Sequence, residues 1–160
     1  MNILLVSASQ RADSNSIEVA RYLQTNILND LDSVQSGILD LSLYPSLLEH
    51  YGTSRDDVTS LDNDKAEVLS LLYACDAVVF ITPEWGGMIP PALINLFLLS
   101  ANGSANGLPL AHKPAFAIGI STSNGGSHPI SLLKGYTAKN SHLAWLPLHG
   151  IIQNVEAFLA

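Results

Sequence analysis

The chain has 160 residues, enough for one domain at roughly 100–200 residues apiece. Charged residues are only 13% of it, against ~25% in an ordinary soluble domain, and 16 of the 21 lie in residues 1–76 (net −8), leaving residues 77–160 nearly bare. A net charge of −7 with no basic cluster excludes nucleic acid as the main partner, because phosphate-backbone binding needs several Lys or Arg on one face.

Residues 2–6, Asn-Ile-Leu-Leu-Val, form a short apolar run of the kind buried on both faces of a parallel sheet. A Ser/Ala/Asn loop follows, then a helix whose apolar positions Ile17, Ala20, Leu23, Ile27 and Leu31 recur at three- and four-residue steps, with Ser14 or Ser16 as N-cap. Residues 37–41 read as a second strand and 42–61 as a long polar connection. Loops of that length are usually functional or mobile. A helix over about 62–75, marked by Ala66, Leu69 and Leu72, leads into the clearest strand, 77–81. Residues 82–88 are a loop, and Pro90-Pro91 suits the first turn of a helix reaching Ala101. A Gly/Ser/Asn turn cluster at 102–107 precedes a fourth strand over 115–120. Residues 121–127 are a glycine-bearing loop, 129–140 a helix, and 143–148, extending toward Ile152, a fifth strand.

Strands alternating with helices imply a parallel α/β sheet, and five strands suit the doubly wound order 2-1-3-4-5. Ligands of such sheets bind beyond the carboxyl ends of the strands, near the switch between the first and third. That rule selects the loops 7–16, 82–88 and 121–127. The first offers a helix N-terminus, several serine hydroxyls, Asn15 and the guanidinium of Arg11, a set suited to a phosphate. It lacks both the dinucleotide fingerprint G-x-G-x-x-G and the P-loop pattern, and a Ser/Asn-rich helix cap is the competing explanation. The second puts Trp85, Gly86 and Gly87 directly after the central strand, where glycine lets a backbone approach a planar ligand. Glu84 has no acidic partner in sequence and is not read as a general base. The third brings Ser121, Thr122, Ser123, Asn124, Gly125 and Gly126, short polar groups able to bond a heteroaromatic edge. Residues 119–123 narrowly miss the G-x-S-x-G nucleophile elbow, which argues against a serine hydrolase.

The five histidines show no metal-ligand spacing, so no metal site is expected. Cys75, the single cysteine, excludes an internal disulfide, suits a reducing compartment and reads as a buried small hydrophobe. No basic leader opens the chain, and the apolar stretch 88–101 falls short of the ~20 residues of a membrane span. A cytoplasmic protein without a membrane partner is the expectation.

Together the loops resemble the NADPH-dependent FMN reductase family of flavodoxin-like proteins, which includes quinone, azo-dye and chromate reductases. Residues 8–16, Ala-Ser-Gln-Arg-Ala-Asp-Ser-Asn-Ser, are similar to that family's G-S-x-R-x-x-S-x-[NS] phosphate segment. Residues 82–87, Thr-Pro-Glu-Trp-Gly-Gly, are similar to its T-P-E-Y-N-G segment, and Ile89-Pro90, Lys113-Pro114 and Gly125-Gly126 also fit. Ala8 stands where glycine is usual, Trp85-Gly86 where Tyr-Asn is usual, and residues 153–160 supply at most two turns of the family's closing helix. The resemblance implies a single flavodoxin-like domain over residues 1–160. It implies FMN with its phosphate on Ser9, Arg11, Ser14, Asn15 and Ser16, and its ring between Pro83, Glu84, Trp85, Gly86, Gly87 and the loop Ser121, Thr122, Ser123, Asn124, Gly125, Gly126. It also implies NAD(P)H as electron donor and a quinone, flavin or similar small molecule as acceptor, with no acid, base or nucleophile required of the protein. A flavodoxin-type electron carrier and a flavin-free binding domain remain open alternatives. The uncharged helix over 88–101 leads us to expect a homo-oligomer, dimer or tetramer, that buries it.

Overall fold

The apolar runs line up side by side in one parallel sheet. The computed structural model describes residues 1–49, 59–101, 108–138 and 141–160. Strands β1 (Asn2–Ser7), β2 (Gln35–Asp40), β3 (Ala77–Pro83), β4 (Pro114–Ile120) and β5 (Ala144–Trp145) stand in the order β2-β1-β3-β4-β5. This is the doubly wound order the sequence implies. A further short strand, β6 (Gly150–Ile152), also pairs with β4.

Alternation along each strand explains how both faces are filled. Leu4, Val6, Val78 and Phe80 point to one core, and Leu5, Ile81, Ile118 and Ile120 to the other. Helix α1 (Asn15–Leu23) covers the second core with Ile17, Val19 and Ala20, aided by Val155 of α6 (Val155–Leu159). The first core takes Val68, Leu69 and Leu72 from α3 (Thr59–Ala74) and Leu93, Leu96 and Phe97 from α4 (Pro91–Ala101). It also takes Leu47 from α2 (Ser46–Glu49) and Ile130 and Leu133 from α5 (Ser127–Thr137). Each such Leu, Ile or Phe contributes about 1.5–3 kcal/mol on leaving water. The Phe80 ring, packed against Phe97 and Trp145 at centroid separations of 5.2 and 5.7 Å, joins α4 to the far edge of the sheet.

Several expectations are corrected. The first helix does not run on to Leu31: after Leu23 the chain widens into a π turn, Gln24–Leu28, leaving Ile27 and Leu31 exposed. The third helix starts at Thr59 rather than 62, and Ala66 lies on its exposed side while Val68 takes the core position. The helix before β5 begins at Ser127, where Gly126 at φ 101° turns the chain into it. The fifth strand is broken in two: Pro147 has no N–H to give a ladder, and residues 146–149 leave the sheet between β5 and β6. The turn cluster 102–107 and residues 50–58 of the connection 42–61 lie outside the described residues, and α2 occupies part of what the sequence reads as connection.

The chain itself covers most, though not all, of the apolar helix α4. Ala92, Leu93, Leu96, Phe97, Leu99 and Ser100 are buried, and Asn95 Nδ2 donates to the Leu47 carbonyl of α2 at 2.7 Å. Among residues 88–100, Met88 and Pro91 are exposed, with Ile94, Asn95 and Leu98 half-buried. Among the described residues no helix is long and apolar enough to cross a membrane.

Candidate functional site

Parallel strands deliver three loops to one end of the sheet, where β1, β3 and β4 finish side by side. The first loop leaves β1 with the Ala8 N–H donating to the Ile81 carbonyl at 3.0 Å, and is folded tight by the Arg11 N–H donating to Ser9 Oγ at 3.1 Å. Asp13 takes a left-handed φ of 52°, and Ser14 then enters α1 in extended conformation (φ −83°, ψ 155°). Ser14 is the N-cap residue, yet its hydroxyl does not cap the helix. Ala8 sits buried with its methyl in the first core and without a positive φ, so an L-residue fits where the resemblance has glycine.

The second loop turns on a two-residue hairpin. Trp85 and Met88 exchange both backbone hydrogen bonds at 3.0 Å, and Gly86 and Gly87 adopt φ +57° and +82° at its tip. Two successive positive φ values are what such a hairpin turn requires, and they select glycine or asparagine. Trp85 is 41% exposed, and the Arg11 guanidinium lies over its ring at 5.8 Å from the centroid, within cation–π range. The third loop is tied to the end of the chain: the Ser121 N–H donates to Ile152, Asn154 N–H to Ser123 and Val155 N–H to Ser121, each at 3.0 Å.

These loops enclose a cleft of about 110 Å³ lined by Ser9, Arg11, Ser14, Asn15, Ser16, Pro83, Glu84, Ser121 and Thr122. A second hollow of about 240 Å³ opens beside it, shared by Ser9, Arg11, Pro83 and Glu84 and bounded by Trp85 and Gly86. Gly87, Ser123, Asn124, Gly125 and Gly126 belong to the same loops but line neither space. The decisive chemical feature is a group of hydroxyls. Ser7, Ser14, Ser16 and Thr82 are buried, and none of their side-chain oxygens has a hydrogen-bond partner in the protein. A buried hydroxyl without a partner costs about 1–3 kcal/mol; Ser14 and Ser16 line the cleft, while Ser7 and Thr82, at the ends of β1 and β3, line neither space. Ser7 opens the first loop and Thr82 the T-P-E segment, yet neither is among the residues the resemblance places on the cofactor. The signal they offer is a small polar residue ending an otherwise apolar strand.

Groups with displaced acidities lie outside the cleft lining. Burial, then the neighbouring Glu67 carboxylate that accepts from its hydroxyl at 2.8 Å, pushes the Tyr44 phenol up to about 12. Burial also raises the Cys75 thiol, against the opposing pull of the Lys113 ammonium. Lys113 Nζ donates to the Leu72 and Tyr73 carbonyls at 2.6 and 2.9 Å, closing the end of α3. Another groove, of about 230 Å³, lies at the opposite, amino ends of β1 and β2 and carries none of the partnerless hydroxyls. No group of three or more His, Cys, Asp or Glu among the described residues is arranged to hold a metal ion.

The sequence model of NADPH-dependent FMN reductase matches residues 1–147. The chain belongs to that family. No curated protein matches in sequence. Among solved structures, the chain is similar to FerB, a flavoenzyme NAD(P)H:(acceptor) oxidoreductase from Paracoccus denitrificans, at 17% identity and TM-score 0.72 over 99% of this chain and 94% of that one. An azoreductase from Bacillus anthracis superposes at TM-score 0.63 and 14% identity, covering 99% and 89%. A cysteine-to-alanine variant of flavodoxin from Pseudomonas aeruginosa does so at 0.59 and 17%, covering 98% and 86%. At these identities the likeness establishes the flavodoxin-like fold, and family membership rests on the match over residues 1–147.

Proposed function

We propose that the protein is an FMN-dependent NAD(P)H oxidoreductase that passes electrons from a nicotinamide cofactor to a quinone, flavin or similar small acceptor. The observation that carries this reading is the pair of buried, partnerless hydroxyls of Ser14 and Ser16, which line one cleft with Arg11 at the start of α1. That donor set fits a phosphate monoester. Hydroxyls donate to its oxygens, the first N–H groups of a helix have no intrahelical partners, and the helix dipole and one guanidinium favour its charge. FMN bound there would supply the hydride and electron chemistry.

The protein's own part is binding and orientation. Ser9, Ser14, Asn15, Ser16 and Arg11 hold the phosphate. Pro83, Glu84, Trp85, Gly86 and Gly87 on one side and Ser121, Thr122, Ser123, Asn124, Gly125 and Gly126 on the other form the slot for the ring. Arg11 spans the first two loops by lying over Trp85. The homo-oligomer belongs to the same proposal, with Met88, Pro91 and the half-buried Ile94 and Leu98 as the contact, and sedimentation reads it directly.

The test combines FMN titration of the purified protein by fluorescence quenching with NADPH oxidation by the loaded protein in the presence of a quinone. Saturable FMN binding with quinone-dependent turnover supports the proposal. FMN binding without turnover points instead to an electron carrier, and no FMN binding points to a flavin-free domain.

A further inference from the structure

Arg11 and Glu84 are the charged side chains that line both the cleft and the hollow beside it. Arg11 has Trp85 beneath it and a proposed phosphate before it. Glu84 makes no salt bridge among the described residues. Its backbone N–H donates to the Ile120 carbonyl at 3.0 Å, carrying the β3–β4 ladder one step past the last paired residues, Pro83 and Ile120. With its main chain fixed, the side chain reaches into the third loop, where Glu84 Oε2 accepts from the Gly126 N–H.

Gly126 is the N-cap residue of the eleven-residue helix α5, so the carboxylate also sits at the positive end of a helix dipole. The bare backbone of Gly125 lets it lie there: a Cβ at that position would overlap Glu84 Oε2 and stand 2.8 Å from Cδ. The front half of the third loop, residues 121–123, is tied to β6 and α6 by three backbone hydrogen bonds. The back half, at Gly126, is tied to the second loop by Glu84. These two loops are the walls of the proposed ring slot.

We infer that Glu84 is a positioning residue: its carboxylate, held by the Gly126 N–H against the side-chain-free Gly125, braces the third loop to the second and fixes the width of the slot between them. It acts through its acceptor oxygen, a role distinct from acid or base catalysis. The inference rests on the flavin reading for its binding arm alone, since the brace itself is a property of the ligand-free protein.

The experiment compares Glu84→Ala, Glu84→Gln and Gly125→Ala with the parent protein by two measurements. The first is amide hydrogen exchange at Gly126 without ligand, followed by NMR. The second is FMN affinity from fluorescence quenching. Glutamine keeps an acceptor oxygen, whereas alanine at 84 removes it. Alanine at 125 displaces the carboxylate without changing Glu84, and Gly125 has no positive φ that would forbid it. A hydrogen bond to a charged group corresponds to roughly a tenfold effect or more. Glu84→Ala and Gly125→Ala should therefore speed Gly126 exchange and weaken FMN binding by at least about that factor, while Glu84→Gln, whose neutral amide oxygen makes a bond roughly half as strong, falls between the parent and Glu84→Ala in both.

Unchanged Gly126 exchange in Glu84→Ala overturns the brace. So does Glu84→Gln matching Glu84→Ala, because charge rather than the acceptor oxygen would then be at work. Faster exchange with unaltered FMN affinity overturns the positioning role. A parent protein that binds no FMN, yet shows the exchange pattern, overturns the flavin reading and upholds the brace.

Discussion

Ser16→Ala separates ligand binding from stability more sharply than any other single change at the site. Ser16 is fully buried in the first turn of α1, lines the cleft, and its hydroxyl has no partner in the protein. Removing that hydroxyl deletes one donor to the proposed phosphate, a hydrogen bond to a charged acceptor worth about 1.5–3 kcal/mol, or roughly 10- to 150-fold in Kd. In the free protein the sign reverses. The hydroxyl carries a desolvation cost of about 1–3 kcal/mol with no bond in return, and alanine is a better helix former by up to ~0.5 kcal/mol. For a chain of this length each kcal/mol moves Tm by about 2–4 °C. Differential scanning calorimetry of the ligand-free variant should therefore show Tm raised by at least ~2 °C, while FMN titration shows weaker binding. A lower Tm with unchanged FMN affinity would refute the reasoning, because Ser16 would then serve the fold and the phosphate would sit elsewhere.

Arg11→Ala removes the sole cation lining the cleft among the described residues and should weaken FMN binding by about 1.5–3 kcal/mol; titration at low and high salt should show the difference shrinking as salt rises. Gly119→Ala would drive a Cβ into the Gly126 carbonyl oxygen and press on Ile130 Cδ1 at 3.0 Å. Overpacking of that kind should cost about 1–3 kcal/mol, and a melt that matches the parent's would contradict the close approach of β4 to the third loop. The Tyr44 phenol, with an ordinary value of 10.0, is raised to about 12 in the folded chain. The stability it lends is thus complete below pH 10.0 and drains away as pH climbs toward about 12. Urea midpoints across that window should fall more steeply for the parent than for Tyr44→Phe, and equal slopes would remove Tyr44 from the account.

Apolar strands announce themselves. Residues 2–6, 77–81 and 115–120 are apolar runs suited to a sheet buried on both faces, and their alternation with helices implies a parallel sheet, for which five strands suit the order found. The three loops then follow from the rule that parallel strands end together. Where local pattern and tertiary packing part company, the sequence misleads. Ile27 and Leu31 keep the helical spacing of Ile17 and Ala20, yet the π turn at Gln24–Leu28 rotates them into solvent. The fifth strand breaks at Pro147, which has no N–H for the ladder, so β4 pairs with Ala144–Trp145 at one end and Gly150–Ile152 at the other. Glu84 is the clearest loss: no acidic or basic neighbour in sequence gives it a role, because its partner is a backbone N–H 42 residues away. That the Ser7 and Thr82 hydroxyls lack partners is hidden for a related reason, since burial without a partner is a property of three-dimensional space alone.

The hairpin at Trp85–Met88 bears on how such a chain can drift. At Gly86 the backbone sits at φ +57°, the one region where glycine and asparagine are both at ease, and no atom lies within 4 Å of where a Cβ would project. An asparagine, which the resemblance has at that residue, could adopt the same bend as this chain's Gly86. The backbone there asks for a left-handed residue and leaves room for a side chain. A library varied at 86 and 87 among glycine, asparagine and aspartate should retain the scaffold while changing what the rim presents to incoming molecules. The tip is the cheapest place on this protein to write a new preference.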